Sequence, residues 1–347
     1  MAGPSSAGDF IVGFVVGCAA MVVLLALAVM SLARSGDIYG LGHWKLNLKT
    51  PLPSMWMNLG TRDDGSPVDH FDEAARNMLQ RILDAAGLLA AALSARDSVA
   101  VLDVGFGCGD QTVALAELIR APSRQQFRYV GLTLNAVQLQ AARGRLAGAL
   151  APERGGGETA LGLSPDSFRL FQADAARPEH WGEAVCTAVD GLADESFSER
   201  WLMGLDCLYH FSPSRKPIFK RAAQTLGANV MAFDLILSDE ASVWGTLAVR
   251  LLGFVLLCPW RAFLTEEQYR GQLVECGYDG ARVEIRDVSD HVFAGLSGYL
   301  RRQDAALGRY GISLTGYTLV GRVYEWLDRT RVLKAAIVVG RRKGKSQ

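Results

Sequence analysis

Val101-Leu-Asp-Val-Gly105-Phe-Gly107-Cys-Gly109-Asp110 is the stretch that decides how the chain is read. An apolar run closes on Asp103, three glycines alternate, and an amphipathic stretch from Thr112 to Arg120 follows. A buried strand, a tight turn and a helix start give that order, which is the layout of a nucleotide-binding crossover. Glycine lets a backbone approach a ligand where a Cβ would block it, and free N–H groups at a helix start favour an anion. The same turn also serves plain strand-to-helix packing. Its spacing, Asp-x-Gly-x-Gly-x-Gly, differs from the dinucleotide fingerprint Gly-x-Gly-x-x-Gly.

Working outward, short apolar runs alternate with helical patterns. Strands are predicted at Val99–Val104, Arg128–Thr133, Phe168–Gln172, Trp201–Leu205, Val230–Leu237, Val283–Arg286 and Leu333–Gly340. A helix over Phe71–Ala86 carries Ala75, Met78, Leu79 and Ile82 at helical spacing, and others are predicted over Val137–Leu146, Pro217–Thr225 and Glu266–Cys276. The expectation is an α/β fold over residues 71–342, a Rossmann-like doubly wound, seven-stranded, mostly parallel sheet with its ligand beyond the carboxyl ends of the strands. Residues 35–70, rich in Trp, Pro and Gly, read as a connector and active-site cover, and 151–165, with a Gly-Gly-Gly run, as a loop.

Lys plus Arg, 36, equals Asp plus Glu, 36, so no global field recruits nucleic acid. The six cysteines are scattered with no Cys-x-x-Cys pair, which reads as a reduced, cytosol-facing protein without a structural metal. Phe10 to Ala33 holds no charged residue in 24 positions. As a helix that length crosses the roughly 30 Å hydrocarbon core, and it lacks the basic start of a signal peptide. Residues 1–34 are therefore expected to be a single transmembrane anchor. Arg34, Lys45 and Lys49 follow it and no Lys or Arg precedes it, which puts the downstream domain in the cytosol. The basic tail 343–347, Lys343-Gly-Lys345-Ser-Gln347, is similar to an endoplasmic-reticulum retrieval signal; a solvated tail is the plain alternative.

A second apolar stretch, 241–261, contains Trp244, Arg250 and Trp260. Crossing the bilayer there would split the sheet and place Arg250 in hydrocarbon. It reads as a lid, as an interfacial helix with its tryptophans near the headgroups, or as a buried core helix.

The glycine turn resembles the first motif of class I S-adenosylmethionine-dependent methyltransferases, and the resemblance extends over residues 55–342. Met55-Trp-Met-Asn-Leu-Gly60 followed by Phe71-Asp-Glu-Ala-Ala75 is similar to a segment of the branch that holds cyclopropane fatty-acid synthases and the sterol and tocopherol methyltransferases. Gly131-Leu-Thr133-Leu-Asn-Ala-Val-Gln138 resembles that branch's Gly-Leu-Thr-Leu-Ser-x-x-Gln. The resemblance implies S-adenosyl-L-methionine as cofactor, its methionine part on Asp103, Gly105, Gly107 and Gly109, and its ribose diol on Thr133 and Gln138 in place of the usual carboxylate. It further implies Asp174 at the adenine amino group and Trp56 over the sulfonium. Asp206, Tyr209 and His210, after the fourth strand, would overlook the transferred methyl, with His210 as a general base and the rings of Trp56 and Tyr209 facing the cation. Each has a plain alternative: Asp103 as a turn carboxylate, Asp174 as a helix cap, His210 as a structural histidine.

The expected function is methyl transfer to a lipophilic small molecule or lipid at a membrane. Two alternatives stand beside it. Cyclopropanation of acyl chains needs a bicarbonate-holding Glu and Cys constellation, to which Asp206-Cys207 is a partial match. A non-enzymatic membrane scaffold would dispense with the cofactor contacts.

Overall fold

The computed structural model describes residues 14, 16, 17, 21, 48, 49, 52–61, 70–89, 98–119, 126–151 and 161–344. The expected anchor, 1–34, the Gly-Gly-Gly run and the end of the basic tail lie almost wholly outside them. Among the described residues no helix is long and apolar enough to cross a membrane. Contacts divide the chain into two units: Lys49–Asp304 with Leu314–Gln347, which carries the sheet, and Met1–Leu48 with Ala305–Ser313.

Seven strands form one sheet: β1 (Val99–Val104), β2 (Phe127–Thr133), β3 (Phe168–Gln172), β4 (Glu199–Leu205), β5 (Asn229–Leu237), β6 (Tyr278–Asp287) and β7 (Leu333–Arg342), in the order β3-β2-β1-β4-β5-β7-β6. The first five pair in parallel, whereas β7 runs antiparallel to both β5 and β6. All six residues of β1 are buried, because a central parallel strand is covered on both faces. That is why Val-Ala-Val-Leu-Asp-Val reads as a run rather than an alternation. Two apolar cores flank the sheet. One holds Leu79, Ile82 and Leu83 of α1 (Phe71–Ala86), the other Val185 and Val189 of α4 (Glu183–Asp190).

Between them in the chain come α2 (Asp110–Leu118) and α3 (Ala136–Ala149), then α5 (Lys216–Lys220), which runs into a π-helical turn at Arg221–Thr225. The strand order reverses at β1, from which β2 and β4 diverge, opening a crevice at the carboxyl ends of these strands. Residues 241–261 form α6 (Val243–Val255) and a turn. Only Val249 and Gly253 of this helix are buried, which excludes the buried-core reading. After α7 (Glu266–Cys276), two helices without a counterpart in the sequence expectation, α8 (Ser289–Gly308) and α9 (Thr315–Thr330), separate β6 from β7.

Candidate active site

The turn after β1 is built by backbone geometry that only glycine takes without strain. Gly105, Gly107 and Gly109 have φ of +82°, +61° and +90°. Their surroundings differ. A Cβ on Gly105 would lie 2.9 Å from Cys207, and one on Gly109 2.8 Å from Ala142 of α3, so these two permit close packing. A Cβ on Gly107 would meet nothing within 4 Å. Gly107 faces a cavity of about 500 Å3, which is also lined by Gly105, Asp110, Gln138 and Trp56. Gly109 does not line it and caps α2 instead.

The same cavity contains Asp206, Cys207, Tyr209 and His210 from the loop after β4. Asp206 stands at φ +60°, in the left-handed region, and its carboxylate is committed on both oxygens. The Tyr209 hydroxyl donates to Oδ1 at 2.8 Å, and the Leu59 N–H donates to Oδ2 at 2.7 Å. Burial outweighs these bonds and pushes the Asp206 pKa up to about 7. The Tyr209 ring stacks on Phe263, with centroids 6.0 Å apart, and lies 4.5 Å from the His210 ring. His210 Nδ1 is 3.4 Å from the Cys258 thiol, and partial desolvation lowers the pKa of its ring.

Residues 55–59 line the cavity, and two side chains fasten this segment. Asp110 Oδ1 accepts from the Met55 N–H at 3.1 Å and pairs with Arg145 at 3.2 Å, while Arg145 donates to the carbonyls of Leu52 and Pro53. Gly60 then passes so close to α1 that a Cβ there would fall 2.4 Å from the backbone of Ala74. Leu296 and Leu300 of α8 and Tyr317, Val320 and Tyr324 of α9 complete the wall; none of residues 241–261 lines it.

Like Gly109, three more of the expected contact residues stand back from the cavity. Asp103 is fully buried, takes both bonds of the Gln111 amide at 2.9 and 2.8 Å and one from the Tyr129 hydroxyl at 2.6 Å, and so fixes the turn to α2. Burial raises its pKa to about 7. Thr133 donates to Gln138 Oε1 at 2.9 Å, leaving the Gln138 amide nitrogen, 3.5 Å from the Met57 sulfur, to face the cavity. Asp174 accepts from the Ala176 N–H at 2.9 Å and lies 3.8 Å from the Arg177 guanidinium, a turn-capping arrangement. Asp110 and Asn58 line the cavity without having been expected there, and Cys207 lines it beside Asp206. A first-turn Asp beside a glycine cap was the available signal for Asp110. Among the described residues no cluster could hold a metal ion.

Neither protein-family models nor curated proteins match the chain. Solved structures do. A sarcosine dimethylglycine methyltransferase from Galdieria sulphuraria is 15% identical, with 82% of this chain and 93% of that one covered and a TM-score of 0.56. The cyclopropane synthase MmaA2 from Mycobacterium tuberculosis is 16% identical over 82% and 90% of the two chains, with a TM-score of 0.53. The cyclase SpnF is 17% identical over 88% and 94%, also at 0.53. The fold is therefore that of the class I S-adenosylmethionine-dependent methyltransferases, a fold that also carries a cyclase.

Proposed function

We propose that the chain is an S-adenosylmethionine-dependent methyltransferase whose acceptor is a lipophilic small molecule or lipid taken up at a membrane. One observation carries this reading: the turn at Gly107 opens into the same cavity that holds Asp206, Tyr209 and His210 and is walled by apolar side chains. The cofactor fits the residues present. The space at Gly107 admits a ligand against the backbone, and α2 begins at a glycine without a side-chain cap. Asp110 Oδ2 is buried with no partner, an acceptor suited to the ammonium of an amino acid. Gly105, Gly107 and Asp110 would thus hold the methionine part, the Gln138 amide, oriented by Thr133, the ribose, and Trp56 would lie over the sulfonium. Bound there, S-adenosyl-L-methionine supplies an electrophilic methyl group.

The protein's own part is to position the acceptor and take its proton. Asp206 is a poor base despite its raised pKa, because Leu59 and Tyr209 occupy both oxygens; it orients the Tyr209 ring. His210 is neutral near neutral pH, since desolvation lowers its pKa, and its Nε2 is the proton acceptor. Residues 10–33 would anchor the chain as a single span with the catalytic unit in the cytosol, and Lys343-x-Lys345 would place it at the endoplasmic reticulum. Methylene transfer to an acyl chain is the second reading, favoured by Cys207, which lines the cavity beside Asp206.

The test supplies the full chain, in vesicles of total membrane lipid, with radiolabelled S-adenosylmethionine and partitions the mixture into organic solvent. Label should enter the organic phase, and His210→Ala should abolish most of it while cofactor affinity by calorimetry stays unchanged. A product that has lost a double bond selects methylene transfer. Absence of cofactor binding by the wild-type chain overturns the reading in favour of a scaffold.

A further inference from the structure

Helix α6 has its amphipathic pattern turned inside out. Val249 and Gly253 face the body of the protein, and Gly253 is packed so tightly that a Cβ would lie 2.7 Å from the Phe263 ring. The opposite side exposes Val243, Trp244, Leu247, Leu251, Phe254 and Val255, with Leu256, Leu257 and Trp260 following. These positions recur every three or four residues, so they make one continuous apolar stripe; Trp244 is 79% exposed, Phe254 66% and Leu257 86%. An exposed stripe of this size marks a binding surface rather than a chance of composition.

The charge beside the stripe identifies what it binds. Among the described residues Arg250 and Arg261 have no ion-pair or hydrogen-bond partner, and the Arg250 Nε is buried. Both arginines line a cavity of about 520 Å3 with Lys216, which is itself paired with Glu275 at 2.5 Å. Two unneutralised guanidinium groups against apolar surface match an anionic headgroup above acyl chains, and tryptophans at both ends of the stripe match the membrane interface. The helix has 13 residues and so extends about 20 Å, short of the roughly 30 Å of a bilayer core, which means it lies along the surface.

We propose that α6 and its continuation to Trp260 form a docking face for an anionic lipid bilayer, with Arg250 and Arg261 holding headgroup phosphates. The face adjoins the active site, since Cys258, between exposed Leu257 and Trp260, contacts His210. Docking therefore brings His210, in the cavity wall, near the lipid boundary. The proposal does not depend on methyl transfer: it is a statement about binding and is read without cofactor.

The full chain is reconstituted into vesicles whose acyl chains carry bromine, made either of phosphatidylcholine alone or of phosphatidylcholine with phosphatidylserine. Tryptophan emission is compared between wild type and W244F/W260F. Wild-type emission should be quenched, the quenching should be greater with phosphatidylserine, and W244F/W260F should lose it. The double variant R250Q/R261Q should lose the phosphatidylserine excess and keep the rest. All the substituted side chains are at least partly exposed, and unchanged thermal denaturation confirms that the variants fold. Equal quenching by both lipids would overturn the headgroup site. No quenching from Trp244 or Trp260, or their shielding without lipid as protein concentration rises, would overturn membrane docking, the latter in favour of contact between copies of the chain.

Discussion

Asp206 holds a conformation that costs an L-residue about 1–2 kcal/mol, and it does so where two hydrogen bonds reward it. The first bond ties the connector to the end of β4; the second fixes the Tyr209 ring in the cavity wall. Asp103 shows the opposite economy, a carboxyl buried among the donors that fix the turn. Its folded pKa of about 7 stands above the ordinary 3.8, so the native state binds its proton more tightly than the unfolded chain does. The stability it contributes is complete below the ordinary value and is lost as the pH rises through about 7. Asp206 titrates in the same window. Asp103→Asn should therefore lessen the fall in urea midpoint between about pH 4 and pH 7. A slope identical to that of the wild type would show that Asp103 is ionised throughout.

At the scale of elements, α8 and α9 give the cavity its apolar side through Leu296, Leu300, Tyr317, Val320 and Tyr324. Truncating Leu300 and Val320 to alanine should weaken a lipophilic acceptor by tenfold or more, since each deletion removes about 1–2 kcal/mol of apolar contact. The change should appear in KM, with cofactor affinity intact; an unchanged KM would move the acceptor elsewhere. These helices were also the least legible part of the sequence. Inner parallel strands such as β1 and β5 are covered on both faces and announce themselves as apolar runs. By contrast α9 buries only Gly321 and Leu327, while Tyr317, Val320 and Tyr324 line the cavity and Leu319 stays exposed, so its apolar residues serve the cavity and the surface as well as the core. The site divides in the same way. Gly105, Gly107, Gln138, Trp56, Asp206, Tyr209 and His210 were legible because each sits in a local motif or at a strand end. Asp110 escaped because its meaning lies in Arg145 and Met55, far away in the chain. Asp103 and Asp174 stand back from the cavity, their carboxylates engaged by neighbouring donors that lie elsewhere in the fold or in the next turn.

For the whole molecule, the cavity joins β1, β2 and β4 to the connector and to both late helices, so a ligand held there must stiffen all of them together. S-adenosylmethionine at a hundred times its Kd should raise stability by about 2.7 kcal/mol and Tm by several degrees. Gly107→Val fills the open side of the turn and should abolish that shift, whatever its effect on the Tm of the free protein. A Gly107→Val chain that still responds to the cofactor would place the binding site away from this turn.

The order of the sheet also dictates how the protein can be made. β6 has one neighbour, β7, and in sequence α8 and α9 lie between them. Until residues 333–342 are available, β6 has no strand to pair with, and the apolar side of the cavity has no fixed mount. Arrival of residues 333–342 slots β7 between β5 and β6 and anchors both ends of the intervening helices in one step. A nascent chain stalled before that point has its glycine turn and no chamber for it to open into, so the enzyme gains its pocket only with its last strand.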